Sequence, residues 1–181
     1  MKFQELEISG AWLIDADLVE DARGVFRRHF CATEFAAHGI DTAMVQGNVS
    51  ENPHCHTLRG FHYQLSPHAE GKTISCFSGS LYDIIVDLRP ESKTYRCWVP
   101  VSLTAASRQS LYIPPGCANA YLTIESNTVV HYYMSNLYNP DSYCGFHYDD
   151  PSFGFRWPCV PAFISEKDSD LPMYAESGRL S

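Results

Sequence analysis

Apolar and polar residues alternate in short runs along most of this chain, with the period of two that marks strands and little of the helical period. Residues 1–20 alternate weakly, as in Leu6-Glu7-Ile8 and Ala11-Trp12-Leu13-Ile14, and predict two short strands. Asp21-Ala22-Arg23-Gly24 reads as a turn into a strand over 25–30 that carries Arg27 and Arg28. Residues 32–38 are good helix formers with Gly39 as a stop, and give the one convincing helix of the first half. A polar stretch over 47–56 reads as a connection. Further strands are predicted over 72–77, 81–88, 95–101, 110–113, 120–124 and 128–134, with Gly79-Ser80 as a tight turn. From Pro140 the chain is rich in proline and aromatics and predicts an irregular wrap ending in one short helical segment.

This pattern predicts an all-β fold, a sandwich or barrel of jelly-roll type with few short helices. A length of 181 residues suggests one domain, 1–181, whose tail from about 160 wraps the barrel. The formal charge of −8 argues against nucleic acid or an anionic membrane as partner, so any anion site must be a local basic cluster. Residues 1–10 lack a basic segment leading into an apolar run, and no stretch is long and apolar enough to span a membrane. Seven cysteines without a CxxC pair read as free thiols, which favours a cytoplasmic location.

The stretch Thr57-Leu58-Arg59-Gly60-Phe61-His62-Tyr63-Gln64 concentrates the candidate chemistry. Strict alternation puts Arg59, Phe61 and Tyr63 on one face, and Leu58, Gly60, His62 and Gln64 on the other. His54, His56 and His62 invite a metal reading. The cupin type of metal site, however, pairs His-x-His with a later carboxylate and a histidine after a Pro-x-Gly turn. Here Pro114-Pro115-Gly116-Cys117-Ala118-Asn119 ends in asparagine and the carboxylate is missing, so no metal is expected. No Gly-x-Ser-x-Gly elbow and no glycine-rich phosphate loop occur. Proton transfer fits better: a histidine suits a base at neutral pH, Lys72 opens the next strand, Tyr132 supplies a hydroxyl, and Asp83, Asp87 or Asp168 could orient the imidazole.

The blocks Arg23-Gly24, Leu58 to Gln64, Lys72, Ser78 to Arg89, Tyr112 to Gly116, Tyr138-Asn139-Pro140 and Asp149-Asp150-Pro151 together resemble the dTDP-4-dehydrorhamnose 3,5-epimerase family, in order over about residues 3–172. The resemblance implies a metal-free, cofactor-free, cupin-like homodimer acting on nucleotide-linked 4-keto-6-deoxy sugars. It implies His62 as base, Asp168 as its orienting carboxylate, Lys72 as oxyanion stabiliser and Tyr132 as acid. It likewise implies Arg23, Arg59 and Arg108 on the phosphates, and Gln46, Asn48, Asn119 and Tyr138 on the sugar or nucleotide. N-terminal strands would exchange between subunits. Three positions depart from the family pattern: Asn119 stands where a histidine is usual, Arg28 replaces a glutamate, and no acid appears around Ser142-Tyr143. Beside the epimerase, a ketoisomerase on the same scaffold and a non-catalytic sugar-binding module remain as readings.

Overall fold

The computed structural model describes residues 1–174. The chain runs through β1 (Lys2–Glu5), β2 (Trp12–Asp15), β3 (Leu18–Asp21), β4 (Gly24–Arg27), α1 (Ala32–Ala37), β5 (Gln46–Asn52), β6 (Leu58–Gln64), β7 (Lys72–Ser78), β8 (Ser80–Asp87), β9 (Trp98–Thr104), β10 (Gln109–Ile113), β11 (Cys117–Thr123), β12 (Thr128–Met134), β13 (Tyr143–Gly145) and α2 (Glu166–Ser169). Two antiparallel sheets face each other, a large one in the order β1-β2-β10-β7-β12-β5 and a small one in the order β13-β6-β11-β8-β9. This is the jelly-roll sandwich that the alternation predicts. The last part of the predicted wrapping tail, 175–181, lies outside the described residues.

Three apolar clusters hold the layers. Ile74, Leu81, Ile85, Leu103, Leu111 and Val130 come from both sheets and fill the space between them. Phe61, Ile84, Val86, Ala118 and Ala120 form the outer face of the small sheet, which the tail covers with Phe146, Phe153, Phe155 and Trp157. Phe61 and Phe146 stack there with ring centroids 4.6 Å apart. A third cluster seats Phe35 of α1 on Ile14 and Tyr112 of the large sheet. The tail is therefore part of the core, and it carries α2 to the rim of the sandwich.

Several predicted elements change: residues 1–21 give three strands, β1, β2 and β3, with Leu6-Glu7-Ile8 in the turn between the first two, and the strand predicted over 25–30 ends at Arg27. Most of β5, Gln46–Asn52, falls in the stretch 47–56 read as a connection, and the strand pairs with β12 over its whole length. Gln46, Asn48, Ser50 and Asn52 turn inward while Gly47, Val49 and Glu51 face out. The inward face is polar, so the alternation carries no hydrophobic signal. Strand β9 starts at Trp98 and not at 95, because Ser92 and Thr94 fold back onto Asp87 Oδ2 at 2.5 and 2.7 Å. Burial raises the Asp87 pKa, but Arg89, Ser92 and Thr94 outweigh it and hold the carboxyl well below the usual range. Asp87 is thereby committed to this corner and is not a partner of His62.

Strands β3 and β4 pair only with each other and form a separate hairpin arm. The arm exposes Val19 and Phe26, and Arg23 sits in its turn paired with Asp21.

Candidate active site

A β-bulge builds the site. Across β6 and β11, Asn119 pairs with His62 and Tyr121 with Arg59, so three steps on β6 match two on β11. The extra residue is Gly60, at φ +117°. Its Cα lies so close to β11 that a Cβ there would stand 2.6 Å from Asn119 O and 2.7 Å from Ala120 Cα. The bulge breaks the alternation predicted for this strand. Arg59 joins His62 and Gln64 on the cavity side, while Phe61 and Tyr63 pack beneath the tail.

The cavity, about 400 Å³, lies between the two sheets. His62, Lys72, Asp168, Tyr132, Arg59, Gln46, Asn119 and Tyr138 all line it, although they come from seven separate segments of the chain. Asn48 sits one step back, accepting from Gln46 Nε2 at 3.1 Å. Arg23 and Arg108 do not line the cavity of their own chain: Arg23 lies at the tip of the arm, and Arg108 in the turn before β10.

His62 Nε2 lies 2.8 Å from Asp168 Oδ1, and the Gly60 N–H donates to Asp168 Oδ2 at 3.2 Å. Ser165 caps α2 by accepting the Asp168 N–H at 3.1 Å, which fixes the carboxylate's backbone. Burial pushes the Asp168 pKa up, but the hydrogen bond from His62, the imidazole's charge and the Gly60 N–H outweigh it, and the net shift is downward. An ionised carboxylate on Nε2 leaves Nδ1 as the proton-accepting nitrogen.

Lys72 starts on the large sheet and reaches across, donating to His62 O at 3.0 Å and to Asn119 Oδ1 at 3.1 Å. Asn119 Nδ2 in turn donates to Asp83 Oδ2 at 3.0 Å. Asp83 is fully buried and its Oδ1 has no partner. Burial pushes its pKa up to about 8 despite the Asn119 bond and the Lys72 charge. Asp83 is expected to keep its proton at pH 7 and to ionise near pH 8, which carboxyl-carbon NMR would follow; ionisation near pH 4 would contradict it. An unfolded aspartate ionises near 3.9. Between about pH 4 and 8 the folded chain binds the extra proton, so the stability this group supplies declines as pH rises through that window.

Tyr132 stands on β12 of the large sheet, across the cavity from His62 on β6 of the small one. Burial raises the Tyr132 pKa and Glu70 raises it further, while Arg59 draws it down. Arg59 is held by Asn52 Oδ1, 2.9 Å from its Nε. At the mouth, Tyr138 meets Tyr143 edge-on and Lys167 Nζ sits 4.0 Å above the Tyr143 ring. Glu70, Tyr143 and Lys167 line the cavity too, and sequence reasoning missed them. Glu70 precedes Lys72 by two residues and Lys167 adjoins Asp168, so proximity to predicted residues was the available signal.

His54 and His56 do not line this cavity; His54 stacks on Phe163 with ring centroids 4.4 Å apart.

Comparison with known proteins agrees with this architecture. The family model described as dTDP-4-dehydrorhamnose 3,5-epimerase matches residues 5–176. A dTDP-4-dehydrorhamnose 3,5-epimerase from Sinorhizobium fredii is 36% identical over 177 residues, covering 97% of this chain and 91% of the relative. The crystal structure of a Bacillus anthracis dTDP-4-dehydrorhamnose 3,5-epimerase with TDP and PPi bound superposes with a TM-score of 0.91 at 32% identity, covering 95% of this chain and 98% of that one. A 3'-monoepimerase from Streptomyces bikiniensis in complex with dTDP-quinovose gives a TM-score of 0.87 at 30% identity, covering 94% and 86%. With sequence and fold matching over nearly its full length, the chain belongs to the dTDP-4-dehydrorhamnose 3,5-epimerase family.

Proposed function

We propose that this protein is an isomerase of deoxysugar biosynthesis that epimerises a dTDP-linked 4-keto-6-deoxy sugar at carbon 3, carbon 5 or both. The observation that carries this is the His62–Asp168 pair on one wall of the cavity with Tyr132 on the other. A ketone acidifies the hydrogens on its two neighbouring carbons. His62 Nδ1 takes one of them, and the electron pair left on carbon moves to the ketone oxygen as an enolate. The Lys72 ammonium stabilises that oxygen, since a fixed cation acts best where charge develops. The Tyr132 hydroxyl then protonates the carbon from the opposite face, which inverts it, and His62 and Tyr132 return to their starting states by exchange with water. Asn119 holds Lys72 in place but cannot itself share a proton.

Arg59 suits the diphosphate as a fork donor, with Gln46, Asn48 and Tyr138 toward the nucleotide or sugar. Arg23 and Arg108 belong to the same reading as phosphate contacts. For Arg23 this requires a second copy of the chain, in a homodimer where the exposed hairpin arm reaches the neighbour's cavity. We infer likewise that residues 1–181 act as one cupin-like domain in the cytoplasm, using neither metal nor cofactor. No helix among the described residues is long and apolar enough to cross a membrane.

Proton NMR in heavy water tests the assignment directly. The protein, given dTDP-4-keto-6-deoxyglucose, is expected to place deuterium at carbon 3, at carbon 5 or at both, and the positions name the carbons inverted. Binding without any exchange would make it a sugar-binding module, and migration of the carbonyl would make it a ketoisomerase.

A further inference from the structure

An ammonium group has three N–H bonds; Lys72 Nζ spends two of them in hydrogen bonds, to His62 O and Asn119 Oδ1, and meets Glu70 Oε1 as an ion pair. His62 O lies at 3.0 Å, Asn119 Oδ1 at 3.1 Å and Glu70 Oε1 at 3.3 Å. A ketone oxygen that binds Lys72 has the third N–H to take, and it reaches the ammonium in competition with the Glu70 carboxylate, which is held there by charge. The His62 carbonyl is fixed in β6, and Asn119 is anchored from behind by Asp83. Glu70 is different. It lies just before β7, outside any strand, and its contact is the longest of the three.

Glu70 is also unusual in itself. It lines the cavity beside Lys72, its side chain is 3% exposed, and its Oε2 has no hydrogen-bond partner. A buried carboxylate with one oxygen unpaired is an unfavourable arrangement, relieved by any donor that comes within reach. It shares that cavity with Tyr132 and Tyr143.

We propose that Glu70 is a substrate-binding residue that reads the hydroxyl on carbon 3. In the free protein it is paired with Lys72. When the ketone oxygen takes its place on the ammonium, the freed carboxylate accepts the hydroxyl hydrogen on the neighbouring carbon. The geometry suits this exchange, because oxygens on adjacent ring carbons lie within a hydrogen-bond length of each other, like Glu70 Oε1 and Lys72 Nζ. In a 4-keto-6-deoxy hexose carbon 5 bears a methyl group and the ring oxygen, so carbon 3 holds the one hydroxyl beside the ketone. The preferred substrate class is thus one with a free hydroxyl at carbon 3, in preference to its 3-deoxy counterpart. This rests on the reading of Lys72 as the partner of the ketone oxygen.

The test compares deuterium exchange on dTDP-4-keto-6-deoxyglucose and on its 3-deoxy analogue, as a ratio of kcat/KM. The unsubstituted protein is expected to favour the hydroxylated sugar by about 10²-fold or more, as sites built to bind a hydroxyl do. Glu70→Ala should collapse that ratio to within about threefold, mainly by losing rate on the hydroxylated sugar. Glu70→Gln, which can still accept a hydrogen through its amide oxygen, should keep part of it. If Glu70→Ala does not fold, the Glu70→Gln ratio decides: a fall of at least about threefold supports the proposal and no change overturns it. A ratio that survives in Glu70→Ala, with both sugars slowed alike, would overturn it and leave Glu70 as a support for Lys72 alone. Failure of the unsubstituted protein to exchange either sugar would instead remove the epimerase reading, and this proposal with it.

Discussion

His62→Ala is expected to lower the rate of deuterium incorporation from solvent by about 10²–10⁴-fold, the range for removing a general base. Affinity for dTDP is expected to stay within a few-fold of the original, because His62 is paired with Asp168 and the proposed diphosphate contact is Arg59. Asp168→Asn is milder, at about 10–100-fold, since the amide can still hold the imidazole but no longer stabilises its charged form. Single-turnover exchange followed by NMR, together with calorimetry on dTDP, separates the two effects. A protein that merely bound sugars would show the reverse, with affinity lost and no rate to lose. Exchange that survived in His62→Ala would shift the base to another cavity residue.

Gly60→Ala should do the largest damage to the fold of any single methyl addition near the site. The new Cβ would meet Asn119 O at 2.6 Å and Ala120 Cα at 2.7 Å, and neither is the end of a side chain that could swing away. The backbone at φ +117° adds strain for any residue with a Cβ. Strain of about 1–3 kcal/mol and overpacking of about 1–3 kcal/mol together lower the melting temperature by roughly 10 °C in a chain of this size. Thermal unfolding of the soluble fraction measures it, and a change of less than about 2 °C would mean that the two strands can part without cost. The same substitution should lower activity in whatever protein still folds, because the bulge is what turns Arg59 and His62 to the same side.

The sequence pattern carries the strands where one face is apolar, as in β7, β8 and β12, and loses them where both faces are polar. Strand β5 is the clear case: Gln46, Asn48, Ser50 and Asn52 look inward on the cavity side, so the residues that would mark a core strand are absent. Residue types singled out His62, Lys72 and Tyr132, with Asp83, Asp87 and Asp168 as candidate partners of the imidazole, and the family resemblance selected Asp168; the structure brings His62, Lys72, Tyr132 and Asp168 to one cavity. Convergence was another matter. Spacing cannot show that α2 folds back to β6, or that a bulge reverses the facing of Arg59, because both depend on backbone geometry remote from the residues involved. Glu70 passed unnoticed for a related reason: a lone acid before a strand reads as a solvated end until its burial and its ion pair with Lys72 are seen. Residue types alone could not choose among Asp83, Asp87 and Asp168, and the fold shows which of them meets the imidazole. Asp83 turns to Asn119 and Asp87 to Arg89, leaving Asp168 for the imidazole.

The wrap of the tail has a consequence for how the protein matures. His62 and Asp168 lie 106 positions apart, and the thirteen strands among the described residues all precede α2 in the chain. Contacts between such distant positions close slowly, since the chain entropy of a long loop must be overcome before any contact rewards it. During synthesis the two sheets can therefore pair while the imidazole is still without its carboxylate. On the reading of Asp168 as the orienting carboxylate, a barrel whose tail has not yet docked would meet the sugar with its imidazole unheld and would turn it over more slowly than the finished protein.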